Sequence, residues 1–191
     1  MQRLRSLLKS LAIMGAIGTI LSACNLVIVE DRVGPGWSYY DGDLHYATHK
    51  GAILTHVTGN PFGMAQPAFA ETVRKMMYGQ TEGVPVEFVA TANDKTLAPF
   101  KVVMAFNAPL SVDGHDLCET GDRTVSIPSG ETLRASIAFC EGDRLKSDSY
   151  ARVSGVKGID DPKFRELVEQ ITRAMVPPDG SDDSGDDGNV P

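Results

Sequence analysis

The chain has 191 residues and a formal net charge of −7, with 42% hydrophobic and 23% charged residues. This apolar content and length fit one globular domain with tails. The acidic balance excludes charge-driven binding of nucleic acid and electrostatic adhesion to an anionic membrane surface.

The first ten residues, MQRLRSLLKS, carry Arg3, Arg5 and Lys9 and no acid, and LAIMGAIGTI follows without a charge. Leu21, Ser22 and Ala23 lead into Cys24. A basic start, a short apolar stretch and a small-residue exit make a secretory signal. With its aliphatic-small-small-Cys ending, the segment resembles the lipobox signal of bacterial lipoproteins. That resemblance covers residues 1–24. It implies cleavage before Cys24, a diacylglycerol thioether on the sulfur and acylation of the new amino group. Stable anchoring needs more than one acyl chain, which a multiply acylated Cys24 supplies. The rival is an uncleaved anchor. Residues 11–29 carry no charge, and about twenty apolar residues span a bilayer. Asn25, Gly15, Gly18, Ser22 and Ala23 make that span a poor one. Both readings export the body of the chain. In the lipoproteins this signal resembles, Asp after the lipidated Cys retains the protein in the inner membrane. Asn25 departs from that, so the periplasmic face of the outer membrane is the expected location. The next residues, Leu26-Val27-Ile28-Val29, are apolar where such proteins usually have a polar tether. Either they pack on the domain as an extra strand, or they belong to a membrane anchor.

Removal of residues 1–23 takes away three basic residues and takes the charge from −7 to −10. The remainder divides into a tether and irregular aromatic segment (24–50), a folded domain (51–177) and a tail (178–191). The aromatic segment holds Trp37, Tyr39, Tyr40 and Tyr46. They either form a stacking platform for a sugar or peptide or, as expected here, pin a connecting segment onto the domain.

Residues 51–63 predict a short strand with Ile53, Thr55 and Val57 on one face, stopped at Gly59-Asn60-Pro61. QPAFAETVRKMMYGQ predicts a helix. Pro67 suits its first turn, Phe69, Val73, Met76 and Met77 form one stripe, and Gly79 closes it. Residues 84–93 and 100–107 predict strands, the second nearly continuous apolar and therefore central. Residues 111–130 read as a polar, Gly-rich loop. Residues 132–140 alternate, with Leu133, Ala135, Ile137 and Phe139 inward and Thr132, Arg134 and Ser136 outward. Residues 149–156 suggest another strand. Asp161 caps a final helix with Pro162 in its first turn and a stripe of Phe164, Leu167, Val168, Ile171 and Met175. The tail DGSDDSGDDGNVP has five Asp and one aliphatic residue, too little apolar surface to order itself. This element order implies an α+β two-layer domain: a largely antiparallel sheet of four or five strands with both helices on one face.

Chemistry is harder to find. There is no phosphate-binding loop, dinucleotide fingerprint or nucleophile elbow. With Cys24 acylated, Cys118 and Cys140 remain. In an exported protein their default is a disulfide, worth roughly 3 kcal/mol for a loop of about twenty residues. A metal site of His115 with Cys140 lacks further ligands nearby. His45 and His49 have the i, i+4 spacing of a zinc-binding helix, but Tyr46 stands where a metalloprotease has its Glu. The bracketing Gly42 and Gly51 argue against a helix there. A three-His set with His56 is a weak candidate. Asp41-Gly42-Asp43 reads as a turn rather than a calcium loop. No cofactor is implied. The resulting expectation is a lipid-anchored, non-catalytic protein that binds or scaffolds another envelope component. The alternative is a small envelope hydrolase or metal enzyme using a histidine site.

Overall fold

The computed structural model describes residues 27–31, 39–40, 42–81, 83, 85–121 and 131–176. The signal region with Cys24, Trp37, the second half of the 111–130 loop and the acidic tail lie outside the described residues. The elements in chain order are β1 (Ile28–Asp31), α1 (Asp43–Thr48), β2 (Ala52–Thr58), α2 (Gln66–Met77) and β3 (Glu87–Val89). Then follow β4 (Phe100–Phe106), α3 (Gly114–Thr120), β5 (Thr132–Glu141), β6 (Arg144–Ser154) and α4 (Pro162–Ala174).

The strands form one sheet of order β1-β6-β5-β4-β2-β3. β1, β6, β5 and β4 pair antiparallel, whereas β2 runs parallel to both β4 and β3. The α+β class is therefore as expected, with six strands and a mixed sheet. The parallel half follows from α2, which carries the chain from β2 back to β3 on the same end of the sheet.

The main core lies on the face covered by α2 and α4. Val102, Met104 and Phe106 of β4 and Leu133, Ala135, Ile137 and Phe139 of β5 all point into it, as the alternation requires. The α4 stripe of Phe164, Leu167, Val168, Ile171 and Met175 is buried against them. Each such side chain contributes about 1.5–3 kcal/mol of burial. Phe164 sits 5.0 Å from Phe62, 5.5 Å from Phe106 and 6.0 Å from Phe69, centroid to centroid. At the end of β2 the chain passes so close to β4 that a Cβ on Gly59 would lie 2.1 Å from the Phe106 carbonyl oxygen. With φ at +79° as well, only glycine fits there.

Two expectations need correction. The two expected helices, α2 and α4, do share one face, but the 111–130 segment expected as a loop holds a further helix, α3, on the opposite side. There Leu117 and Cys118 bury against Val103, Ala138, Cys140 and Leu145. The Gly-rich loop hid α3, a seven-residue helix nucleated by a capping box. In that box Asp113 accepts from Asp116 N at 3.0 Å and Asp116 from Asp113 N at 3.1 Å. Second, the supposedly irregular 24–50 segment contributes β1 and α1. Val27 is buried in the main core, and Ile28–Asp31 pair with Arg152–Ser149. Ile28 and Val29, from the apolar run after Asn25, thus belong to an extra strand.

Cys118 on α3 and Cys140 on β5 are joined in a disulfide, with Cα atoms 5.6 Å apart. It fastens α3 to the sheet. Cys140→Ser should lower stability by about 2–5 kcal/mol in oxidising buffer, measured by denaturant unfolding. Adding reductant to the wild type should bring it to the same value.

Candidate functional site

The two ends of the sheet differ in what covers them. At the lower end β2 and β4 begin and the β5–β6 hairpin turns, and residues 39–40 and 42–49 lie at this end. α1 forms despite its flanking glycines, because Leu44 and Ala47 bury their side chains in the main core. Gly42 supplies the left-handed entry, with φ at +90°. The anchor of this segment is Lys146. Its side chain is only 4% exposed, and its Nζ lies 2.9 Å from Asp43 Oδ2 and 3.8 Å from Glu141 Oε2. The same ammonium stands 5.5 Å over the Tyr40 ring. Asp43 also accepts from Tyr40 N at 2.8 Å. Its carboxylate is thus committed to holding the segment in place.

The aromatics divide by role. Tyr39 packs edge-on against Phe139 at 6.2 Å and pins the segment. Tyr40 and Tyr46 remain 73% and 64% exposed, yet both are supported from below. Tyr46 meets Phe100 edge-on and stacks with His49, each at 5.9 Å. Two exposed rings in fixed positions have the chemistry of a stacking surface, with little side-chain entropy left to lose on binding.

The histidines stay dispersed. His45 lies on α1 and His49 is the residue that caps its C-terminal end; both are exposed, and His49 Nδ1 lies 2.7 Å from Tyr46 O. His56 is half-buried on β2. His115 is exposed on α3, across the sheet from α1. Among the described residues no three His, Cys, Asp or Glu side chains are grouped to hold a metal ion. Cys140, the other half of the His115 idea, is in the disulfide.

At the upper end a cleft of about 1090 Å³ runs between the loop after β2 and the β6–α4 connection. Phe62, Met64, Leu133, Val156 and Ile159 supply its apolar lining, and Glu131, Lys157, Asp160, Asp161 and Lys163 its charges. A second cleft of about 710 Å³ lies between α2 and β3. There Glu71 is held below the usual carboxylate range by hydrogen bonds from Arg74 and Lys75. Neither cleft is lined by a His, Cys or Ser. Of the acids in the upper cleft, Asp161 is occupied with capping α4. Its carboxylate accepts from Lys157 N at 2.9 Å and Lys163 N at 3.0 Å. These bonds stabilise the charged form and depress its pKa.

A depressed native pKa means the cap stabilises fully above the unfolded-state value and loses its contribution as pH falls through the native one. Asp161→Ala should therefore cost about 1 kcal/mol at neutral pH. Urea titrations should show that difference shrinking on acidification below the ordinary Asp range.

No family model and no curated protein matches the chain. Among solved structures, the dodecamer of a PelC point variant from Paraburkholderia phytofirmans gives a TM-score of 0.43 at 8% identity, covering 78% of this chain and 97% of that one. The PelC dodecamer from the same organism gives 0.41 at 8% identity, covering 78% and 98%.

Proposed function

We propose that the protein is a lipid-anchored envelope lipoprotein with a non-catalytic binding role, held through acyl chains on Cys24 and facing the periplasm. The observation that carries this reading is β1. The apolar run after the lipobox is taken up by the sheet edge, with Val27 buried and Ile28–Asp31 paired to β6. A membrane span over residues 11–29 would need those same residues. Without Val27 onward, residues 11–26 could supply at most about 24 Å of helix, short of the roughly 30 Å hydrocarbon core. Among the described residues no helix is long and apolar enough to cross a membrane.

The same strand gives the anchor a short leash. Cys24 precedes Val27 by three residues, about 10 Å of extended chain. That brings the upper end of the sheet to the membrane and turns the Tyr40–Tyr46 surface away from it. A fixed aromatic surface facing outward suits a sugar chain or a peptide segment of another envelope component. Asn25 favours the outer membrane over the inner.

The intact mass of membrane-extracted protein tests this reading. The expected product lacks 23 residues and carries diacylglycerol and acyl mass on Cys24. Cys24→Ala should abolish labelling by palmitate and leave an unprocessed precursor. A mass matching unmodified residues 1–191 would refute the assignment. For the binding surface, Tyr40→Ala combined with Tyr46→Ala should leave the melting temperature within a few degrees of wild type. It should also weaken capture of the partner that wild-type protein retains from envelope extract. Equal capture would remove the aromatic surface from the account.

A further inference from the structure

The sheet face carrying α3 is covered by that helix only in part. Its upper rows hold Arg134 of β5 and Arg152 of β6, which are direct cross-strand partners. Like charges placed directly opposite are destabilising unless something compensates them. Arg152 has a counterion, Glu30 of β1, at 3.5 Å. Arg134 has none among the described residues, and its Nε is buried without a hydrogen-bond partner. A second orphan lies on the same face. Thr58 Oγ1 is buried and unpartnered, in the row of Ala105 and Ser136, next to that of Arg134. These two are the buried side-chain polar atoms left without a partner among the described residues. Both sit on one face at one end of the sheet. A buried polar atom without a partner costs about 1–3 kcal/mol, and an unseen ion or water is a common resolution.

We propose that Arg134 and Arg152 form a phosphate-binding site on this face. The half-buried guanidinium of Arg134 offers its two terminal nitrogens as a fork to two phosphate oxygens, and its buried Nε gains from the added negative charge. The phosphate's charge relieves the repulsion between the arginines that Glu30 only halves. Arg152 is the Cα partner of Ile28, which lies four residues and so at most about 14 Å from Cys24. A phospholipid headgroup is one source of such a phosphate, and free phosphate the other. The headgroup source rests on the anchored reading above, whereas the site itself does not. Residues 122–130, which lead from α3 towards β5, contain one acid and one base and so bring no net charge.

The test follows the Arg134 Nε–H resonance by NMR in the full chain. In detergent, titration with inorganic phosphate should shift it saturably. Arg134→Gln should weaken phosphate binding at least about tenfold, as the loss of a charged hydrogen-bonding group implies. Arg134→Lys, which keeps the charge but lacks the fork, should recover only part of it. Should Arg134→Gln not fold, Arg152→Gln provides the comparison and should also weaken binding. In nanodiscs without free phosphate, a shift in phosphatidylglycerol identifies the headgroup source. A shift with free phosphate alone identifies the soluble one, and it would appear whether or not Cys24 is acylated. No shift under either condition, or an unaltered response in the variants, overturns the proposal.

Discussion

One extra residue in the β5–β6 ladder decides which way this end of the fold faces. Cys140 pairs with Leu145, but Phe139 pairs with Ser147, so Lys146 is left over as a bulge. A bulge changes which side of the sheet the following residues occupy. Leu145 and Cys140 therefore face α3, while Ser147 and Phe139 face α4. The Ser147 and Ser149 hydroxyls donate to the carbonyls of Met175 and Ala174 at 2.6 and 2.7 Å. These carbonyls at the end of α4 lack a helical partner of their own. The bulged lysine points its ammonium into Asp43 and holds the segment that carries Tyr40 and Tyr46. Both helical layers and the aromatic surface are thus positioned from one short stretch of β6.

That stretch is also where the sequence was least informative. Residues 144–149 read RLKSDS, polar and without alternation, and only 149–156 suggested a strand. Yet Leu145 to Ala151 are all buried, because each polar side chain whose bonds are described above finds a tertiary partner that local sequence does not reveal. The elements that were legible satisfy their own patterns. β4 is apolar on both sides because it is covered on both. β5 alternates because α3 covers only part of its outer face. α2 and α4 start at a proline in the first turn, and Asp161 caps α4 as expected. α3 was missed because its signal, Asp113 three residues before Asp116, sits in a loop with few apolar residues. α1 was missed because its bracketing glycines, which argued against a helix, instead provide the entry and exit turns of a very short one.

Of the candidate site residues, Cys118 and Cys140 were paired correctly from chain context alone. The histidines could not be resolved by spacing. His45 lies on α1 and His49 only caps its end, both exposed on the outside of the domain. Arg134 was legible only as an outward residue of β5. Its opposition to Arg152 depends on register across the hairpin, which the bulge sets and the sequence does not show.

Placing β1 at the sheet edge gives the molecule a polarity: the upper cleft, the paired arginines and, in the proposed reading, the anchor lie at one end, and the aromatic surface at the other. Fluorophores attached at Asp160→Cys in the upper loop and at Asp143→Cys in the lower hairpin turn test this directly in membrane-bound full-length protein. With a quencher carried on the lipid headgroups, the label at 160 should be strongly quenched and the label at 143 spared. Equal quenching at both positions, or stronger quenching at 143, would contradict the orientation and with it the short-leash account of the anchor.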